Sequence, residues 1–421
     1  MKKIIKIVLT GMLYGPLLLP QLSFGQDKIC TIKGTIYNRK STTLILAKAT
    51  ANLKSGYQRI PIVNNAFEYK FTYTEPEAWT LVFEEEYKNG VYRKIDFFTD
   101  TTEVDFTLLP LDEADGNKIN GGNLNREYYS MKHQMDALFG GKTAELNAKS
   151  RAMYDAKRFY SKAYDSLRHA VSFIDSPDLK RPVYLKITEM EKNGDYLTAE
   201  GKQMKQMIDD YALQKYRWKY NYILSKPTLA GYFELWRDIY FIKDHPEIKD
   251  IVKEVYPVLA KSFPDHTYTT LVGNQLDGFL KTQPGEQFID FSAPDISGKK
   301  YTLSEQIKGK VSLIDFWGSW CGPCIAATKT MLPVYHEFKN KGFNVIGIAR
   351  EFKTLDGLEI ALKREKYPWL NLVDLDDKYK VWNKYNISRQ GGMIILVDAS
   401  GKILAVDPTA EEVRAILLKT L

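Results

Sequence analysis

Apolar and polar residues alternate in short runs between about residues 28 and 109. The run from Phe67 to Phe71 is one example, and turn-forming residues such as Asn64 and Asn65 separate the runs. Alternation with a period of two, broken at close intervals by turns, predicts short β-strands. We therefore predict a β-rich domain, a small sandwich or barrel, over residues 26–115.

The pattern becomes helical over residues 116–282. Met204, Ile208 and Tyr211 recur at helical spacing on one face, and aromatic residues such as Trp218 are expected to pack helix against helix. Residues 112–125 are rich in Gly, Asn and Asp and predict a linker. Predicted helix breaks lie at Gly140-Gly141, Ser176-Pro177, Gly194, Lys226-Pro227, His245-Pro246 and Phe263-Pro264.

Strands and helices alternate over residues 283–421. An apolar run at residues 311–316 predicts a buried strand, and a helical stretch from about Cys321 to Lys341 follows it. Further strands are predicted at residues 343–348, 393–397 and 402–406, and further helices at residues 355–366, 378–385 and 410–418. This alternation predicts an α/β domain. The expected fold is therefore multi-domain, with a β-rich domain, a helical region and a C-terminal α/β domain.

The N-terminus carries the pattern of a secretory signal peptide. Lys2, Lys3 and Lys6 precede an apolar stretch over residues 7–22, which ends in small residues before Gln26. The alternative, a retained membrane anchor, is disfavoured because the stretch is short and contains two prolines. Cleavage after residue 25 would deliver the chain to the periplasm or cell envelope.

Composition narrows the function classes. The 421 residues exceed what one core usually serves, and 44% hydrophobic and 26% charged residues are ordinary for globular proteins. The formal net charge is +7, but basic and acidic residues are interspersed, which argues against a nucleic-acid partner.

Three cysteines are too few for a disulfide framework in a chain of this length. Cys30 lies in an alternating run, where a cysteine is expected to be a small buried apolar residue. Asp27, Lys28 and Ile29 precede it instead of a small residue, so lipid attachment at Cys30 is not expected.

Cys321 and Cys324 are separated by two residues where a predicted buried strand gives way to a helix. The first thiol would then sit at a helix N-terminus, where the helix dipole and free N–H groups stabilise a thiolate and lower the cysteine pKa. Cys324, one turn later, could attack a mixed disulfide formed at Cys321. Gly322 and Pro323 keep the turn compact.

A metal site is the alternative for such a pair. Zinc usually requires two such pairs or additional histidines, and none of the five histidines lies within ten residues of the motif. We therefore expect no metal, and no cofactor other than the redox-active Cys321–Cys324 disulfide.

The segment from Phe316 to Cys324, FWGSWCGPC, resembles the TlpA/ResA group of exported thioredoxin-like disulfide reductases. The segments GKV at residues 309–311 and FSAPD at residues 291–295 support the resemblance, which covers about residues 285–421. The preceding β-rich and helical portion is similar to the extension carried by many such proteins from Bacteroidetes. The resemblance implies a thioredoxin-like fold for residues 283–421.

The resemblance also implies roles for individual residues. Asp315 matches a buried aspartate that helps deprotonate the second cysteine, and Trp320 shapes the contact surface with Gly322 and Pro323. Gly392 stands where relatives place a cis-proline. We expect the loop of Gly391 and Gly392 to dock substrates instead, because glycine allows close backbone approach.

Two further positions depart from the family pattern. Many relatives carry a glutamate three residues after the second cysteine and a proline five residues after it, whereas this chain has Ala327 and Lys329. Tuning of the redox centre by that glutamate is therefore expected to be absent.

The expected function is reduction of disulfides in other exported proteins, with electrons supplied by a membrane partner. The motif alone does not decide between reduction, oxidation and isomerisation, although a Gly-Pro dipeptide between the cysteines resembles reducing thioredoxins. The main alternative is a partner-binding or scaffold protein with a weak redox domain. A peroxidase is disfavoured, because the chain lacks the Thr-x-x-Cys pattern that resembles peroxiredoxins.

Overall fold

The computed structural model describes residues 27–242, 248–387 and 391–421. The predicted signal peptide, the predicted break at His245-Pro246 and residues 388–390 lie outside the described residues. Within the described ranges, no helix combines the length and apolar character needed to cross a membrane.

Two four-stranded sheets build the N-terminal region, in the orders β4-β1-β7-β8 and β3-β2-β5-β6. All eight strands contribute side chains to one shared core, and Cys30 is fully buried in it. Neither sheet closes on itself within the described ranges, so no barrel is formed. The elements are β1 (Lys28–Ile36), β2 (Thr43–Lys48), β3 (Gln58–Pro61), β4 (Ala66–Tyr73), β5 (Ala78–Phe83), α1 (Glu84–Lys88), β6 (Ile95–Phe98), β7 (Glu103–Leu108) and β8 (Lys118–Asn120).

The segment predicted as a linker is folded. A 3-10 turn at Leu111–Gly116 leads into β8, which pairs with β7 and buries Ile119. Gly121 and Gly122 then turn the chain with positive φ, and the Asp100 carboxylate accepts the first N–H groups of the following helix. One buried apolar residue, Ile119, and an acceptor from the turn between β6 and β7, Asp100, order this segment, which local composition did not predict.

Within the described residues, seven helices form the middle region, and most of them share a core that also includes Ala78 of β5 and Phe98 of β6. They are α2 (Asn123–Asp155), α3 (Lys162–Phe173), α4 (Pro177–Asn193), α5 (Ala199–Ser225), α6 (Leu229–Asp238), α7 (Lys249–Ser262) and α8 (Thr267–Lys281).

Helix α2 continues through Gly140-Gly141, so the predicted break there is wrong. Packing against α5 explains the continuity: Phe139 contacts the rings of Tyr211 and Trp218 with centroids 5.9 and 6.1 Å away, and the Tyr211 hydroxyl donates to the Phe139 carbonyl. Each helical glycine costs only about 1 kcal/mol, which such contacts offset.

Within the described residues, the C-terminal region contains a five-stranded sheet flanked by helices, in the order β13-β12-β11-β14-β15, and a separate two-stranded sheet of β9 and β10. The central strand β11 pairs in parallel with β12 and antiparallel with β14, and all seven of its residues are buried. The elements are β9 (Ser292–Pro294), β10 (Lys300–Thr302), α9 (Leu303–Ile307), β11 (Val311–Trp317), α10 (Gly322–Phe338), β12 (Phe343–Glu351), α11 (Asp356–Glu365), β13 (Leu370–Leu375), α12 (Val381–Lys384), β14 (Met393–Val397), β15 (Ile403–Val406) and α13 (Ala410–Thr420).

Helix α8 joins the middle region to the C-terminal sheet. Gly278 lies so close to the end of α12 that an added Cβ would clash with the Lys384 carbonyl and lie 2.7 Å from the Asn386 nitrogen. The Asn383 side chain also donates to the Leu271 carbonyl at 3.1 Å. Backbone therefore packs on backbone at this junction, which holds α12 firmly against α8.

Candidate active site

The Cys321–Cys324 pair lies between the end of strand β11 and the first turn of helix α10. Cys321 is the N-cap of α10, Cys324 lies in its first turn, and their sulfurs form a disulfide. Pro323 occupies the first turn, where its missing N–H costs no helical hydrogen bond. The side chain of Cys321 is nearly buried, with 6% of the residue exposed, although Gly322 and Pro323 remain exposed.

The start of α10 favours a thiolate at Cys321 over a thiol. The Cys321 sulfur accepts the backbone N–H of Cys324 at 3.3 Å, and the first turn of this 17-residue helix contains no acidic residue. Free N–H groups and the positive end of the helix dipole stabilise a negative sulfur, which lowers a cysteine pKa. Once the disulfide is reduced, Cys321 is therefore placed to be the nucleophile.

Asp315 is buried on the central strand, with 1% of the residue exposed. Burial raises the pKa of its carboxyl from 3.8 to about 7, and a hydrogen bond from Thr328 opposes this shift. A carboxyl with a pKa near neutrality can both take up and release a proton at physiological pH. The surroundings that the sequence predicted for Asp315 are thus present.

Thr328 links Asp315 to the cysteine pair, and sequence reasoning missed it. Its Oγ1 lies 2.7 Å from Asp315 Oδ2 and 2.9 Å from the Cys324 carbonyl oxygen. The hydroxyl has one proton, so it donates to Asp315 when that group is ionised. When Asp315 is protonated, the carboxyl can donate to the Thr328 hydroxyl, which then donates its own proton to the Cys324 carbonyl oxygen. The sequence does contain a signal for Thr328, since it places a hydroxyl one helical turn after Cys324 on an otherwise apolar face of the predicted helix.

The loop of Gly391 and Gly392 lies directly on the second sulfur. An added Cβ at Gly392 would clash with the Phe316 carbonyl and lie 2.9 Å from Cys324 Sγ. Gly392 does not have a positive φ, so lack of space, rather than unusual dihedrals, requires the glycine. The indole N–H of Trp382 donates to the Gly391 carbonyl at 3.1 Å and holds the loop there.

Two hydrogen-bonded anchors fix the loop before Cys321. The indole N–H of Trp320 donates to the Arg350 carbonyl at 2.8 Å. The carboxylate of Glu351 accepts the Ser319 N–H at 2.7 Å and the Ser319 hydroxyl at 2.8 Å. Burial raises the pKa of Glu351, and the bonds from Ser319 oppose the shift. Sequence reasoning did not single out Glu351, because its strand position is far from the motif in sequence.

Ala327 and Lys329, the two positions that depart from the family pattern, both contact other parts of the C-terminal domain. Ala327 packs, half-buried, against the core between α10 and the sheet. The Lys329 ammonium lies 3.2 Å from the carboxylate of Glu365, a buried residue that also pairs with Arg364. Neither side chain supplies an acid beside the cysteines. The described ranges contain no cluster of three metal-ligating side chains.

The raised pKa of Asp315 predicts how the stability of the folded protein changes with pH. Its folded pKa of about 7 exceeds the ordinary 3.8, so the stability it contributes is present below about pH 4 and is lost as the pH rises through 7. Asp315→Asn escapes this loss. Relative to wild type, its free energy of unfolding should rise by about 3 kcal/mol between pH 5 and pH 8, because about 1.4 kcal/mol is gained per pH unit up to the folded pKa of about 7 and little above it.

Urea unfolding of the oxidised proteins at the two pH values measures this difference. Asp398→Asn is the matched control, since the pKa of Asp398 is lowered and its carboxylate stays ionised over that range. If the difference in unfolding free energy between Asp315→Asn and wild type is the same at both pH values, the raised pKa assigned to the buried Asp315 is contradicted.

In a comparison with known proteins, residues 284–406 match the AhpC/TSA family. The thiol-disulfide oxidoreductase ResA of Bacillus cereus is 30% identical over 144 residues, which span 33% of this chain and 79% of that protein. The matched family region ends with β15, and the N-terminal β-rich region and helices α2–α8 lie outside it.

Solved structures give similar matches. The thioredoxin domain of a thiol-disulfide oxidoreductase from Bacteroides vulgatus is 29% identical and covers 32% of this chain and 96% of its own, with a TM-score of 0.30. A thiol-disulfide oxidoreductase from Bacteroides fragilis is 28% identical and covers 32% of this chain and 100% of its own, also with a TM-score of 0.30. Since more than two thirds of the Bacillus cereus ResA is matched at 30% identity, the chain belongs to the ResA-like family of thioredoxin-fold thiol-disulfide oxidoreductases.

Proposed function

We propose that this chain reduces disulfides of other cell-envelope proteins through the Cys321–Cys324 dithiol. The observation that carries the proposal is the disulfide at the start of α10, with a buried carboxyl of pKa about 7 that Thr328 joins to the backbone carbonyl of Cys324. This arrangement joins a nucleophilic sulfur, a resolving sulfur and a proton acceptor in one place.

The reaction has two exchange steps. The Cys321 thiolate attacks one sulfur of the substrate disulfide, a mixed disulfide forms, and the other substrate sulfur leaves as a thiolate. Cys324 loses its proton to Asp315 and attacks the Cys321 sulfur. The Cys321–Cys324 disulfide forms, and the second substrate thiolate leaves. The substrate gains two electrons, which a donor dithiol must return to the pair before the next cycle.

The proposed location is inferred from the N-terminal sequence pattern, and the proposed electron donor is inferred from the two electrons that each cycle consumes. The signal-peptide pattern over residues 1–25 supports a location in the periplasm or cell envelope. Cytoplasmic reductants do not act there directly, so a membrane protein that carries electrons across is the expected donor. The substrates are exported proteins with disulfides, and the cycle requires no metal or further cofactor.

Disulfide reduction by the full chain tests the proposal. With dithiothreitol as the electron donor, wild type is expected to speed insulin reduction, and Cys321→Ser is expected to remove that acceleration because the nucleophile at the helix N-cap is lost. Precipitation of the insulin B chain gives the rate. Cys30→Ala is the matched control, since burial raises the pKa of the Cys30 thiol to about 11 and leaves it unreactive.

Equal rates with wild type and Cys321→Ser would refute the proposal. That outcome would favour the alternative, a partner-binding or scaffold protein whose redox domain has little activity.

Thr328→Val tests whether Thr328 tunes Asp315 as the proton acceptor for Cys324. Valine cannot donate to the Asp315 carboxylate, so the Asp315 pKa should rise above about 7 and the resolving step should need a higher pH. The measurement is the pH dependence of thiol release from a preformed mixed disulfide at Cys321. Its midpoint should move upward, with the rate regained at alkaline pH.

Thr330→Val is the control for that measurement, because the Thr330 hydroxyl donates to the Ala327 carbonyl on the same helix and does not contact Asp315. If both variants share the wild-type midpoint, Thr328 does not tune the proton acceptor.

Gly392→Ala tests the substrate-docking role of the loop of Gly391 and Gly392. The added Cβ must push the loop off the Phe316 carbonyl and Cys324 Sγ. Insulin reduction should fall at least about tenfold, since displacing a positioning element by an ångström commonly has effects of that size or larger. Gly141→Ala on α2, where an added Cβ meets nothing within 4 Å, should behave as wild type. Unchanged reduction by Gly392→Ala would remove the loop from the mechanism.

A further inference from the structure

The Cys321–Cys324 pair lies where all three regions of the chain meet. The C-terminal domain supplies the cysteines, and helix α4 of the middle region reaches Gly322. The loop between β2 and β3 of the N-terminal region reaches Trp320, the residue before Cys321. The cysteine pair is therefore bordered by parts of the chain that lie outside the matched family region.

The N-terminal wall is made by Lys54. Its ammonium nitrogen lies 4.9 Å from the ring centre of Trp320 and 5.4 Å from that of Phe352. The two rings contact each other at 5.9 Å, and the Lys353 ammonium lies 5.7 Å from the ring of Tyr57 on the same loop. Cation–π contacts of this kind hold the loop of residues 51–57 against the Trp320 side of the site.

The helical wall is made by Tyr184 on α4. A Cβ added to Gly322 would lie 3.4 Å from Tyr184 Cε2, so the tyrosine ring is in ordinary van der Waals reach of the turn between the cysteines. Helix α4 packs along α10, and Lys192 near its end pairs with Glu412 of α13 at 3.5 Å. The Tyr164 hydroxyl of α3 bonds to Glu191, which fastens α3 to α4.

These walls bound the approach to the nucleophile. Only 6% of Cys321 is exposed, whereas the neighbouring Gly322 and Pro323 are exposed. Exchange requires a substrate sulfur to reach the Cys321 sulfur itself. Lys54 lies over Trp320, the residue before Cys321, and Tyr184 lies against Gly322, the residue after it. A broad folded surface would meet both side chains before it reached the Cys321 sulfur, whereas an extended segment is narrow enough to pass them.

We propose that Tyr184 and Lys54 determine specificity by restricting Cys321 to disulfides carried on extended polypeptide segments. The inference rests on the proposed disulfide reduction and assigns its substrate class. The N-terminal and middle regions thereby act on the reaction through the shape of the entrance.

Access to Cys321 can be measured without any enzymatic turnover. In the full chain with Cys324→Ser, Cys321 is the accessible thiol, because Cys30 is buried. The rates of its alkylation by N-ethylmaleimide and by a maleimide linked to polyethylene glycol give a ratio that reports the width of the entrance. The variants are Tyr184→Ala, Lys54→Ala and the double variant.

The double variant should raise the rate with the bulky reagent by at least about fivefold relative to the small one, as expected for loss of two wall contacts. Leu179→Ala, at an exposed position on α4, should leave the ratio at the wild-type value. Lys54 is exposed, so Lys54→Ala retains the fold and tests one wall even if Tyr184→Ala unfolds. An unchanged ratio in Lys54→Ala and in the double variant would overturn the inference.

Turnover distinguishes this inference from the proposed function. With Cys324 present, wild type should reduce a short linear peptide disulfide faster than insulin, and the double variant should narrow that difference. If both substrates are reduced but neither rate responds to the walls, this inference fails and disulfide reduction stands. If alkylation responds but neither substrate is reduced, the proposed function fails and the assigned substrate class fails with it.

Discussion

The arrangement of this site depends on the burial of one carboxyl group under a helix start. Strand β11 is covered on both faces, so Asp315 has no water to solvate its charge, and its pKa rises to about 7. The same strand ends where Cys321 caps α10. Because strand and helix are consecutive, the proton acceptor and the thiol pair are held in register by the chain itself, and Thr328 connects them from the helix.

Close backbone approach is the second constraint. Relatives are expected to place a cis-proline against the cysteines, and this chain places Gly392 there in a space that admits no side chain. The Trp382 indole holds the neighbouring carbonyl, so the loop is positioned by a hydrogen bond from α12 rather than by a proline ring. Backbone groups can therefore still face an extended substrate.

Much of the C-terminal domain could be predicted from sequence, because its strands and helices carry strong local periodicity and the cysteine spacing matches one helical turn. Residues 112–125 and Gly140-Gly141 were misjudged, since contacts from Asp100 and α5 overrode local composition. Thr328 and Glu351 were missed because their partners are distant in sequence or face inward. The walls made by Lys54 and Tyr184 arise from packing between regions, which no local pattern encodes.

The junction at Gly278 has a consequence for how the chain divides into units. Helix α8 rests on the backbone at the end of α12, and α12 carries the tryptophan that holds the loop over Cys324. Truncating the chain near residue 283 would therefore remove α8, and with it the contacts that hold α12 beneath that loop. Helix α8 thus supports the thiol pair indirectly, through α12, although it lies outside the matched family region.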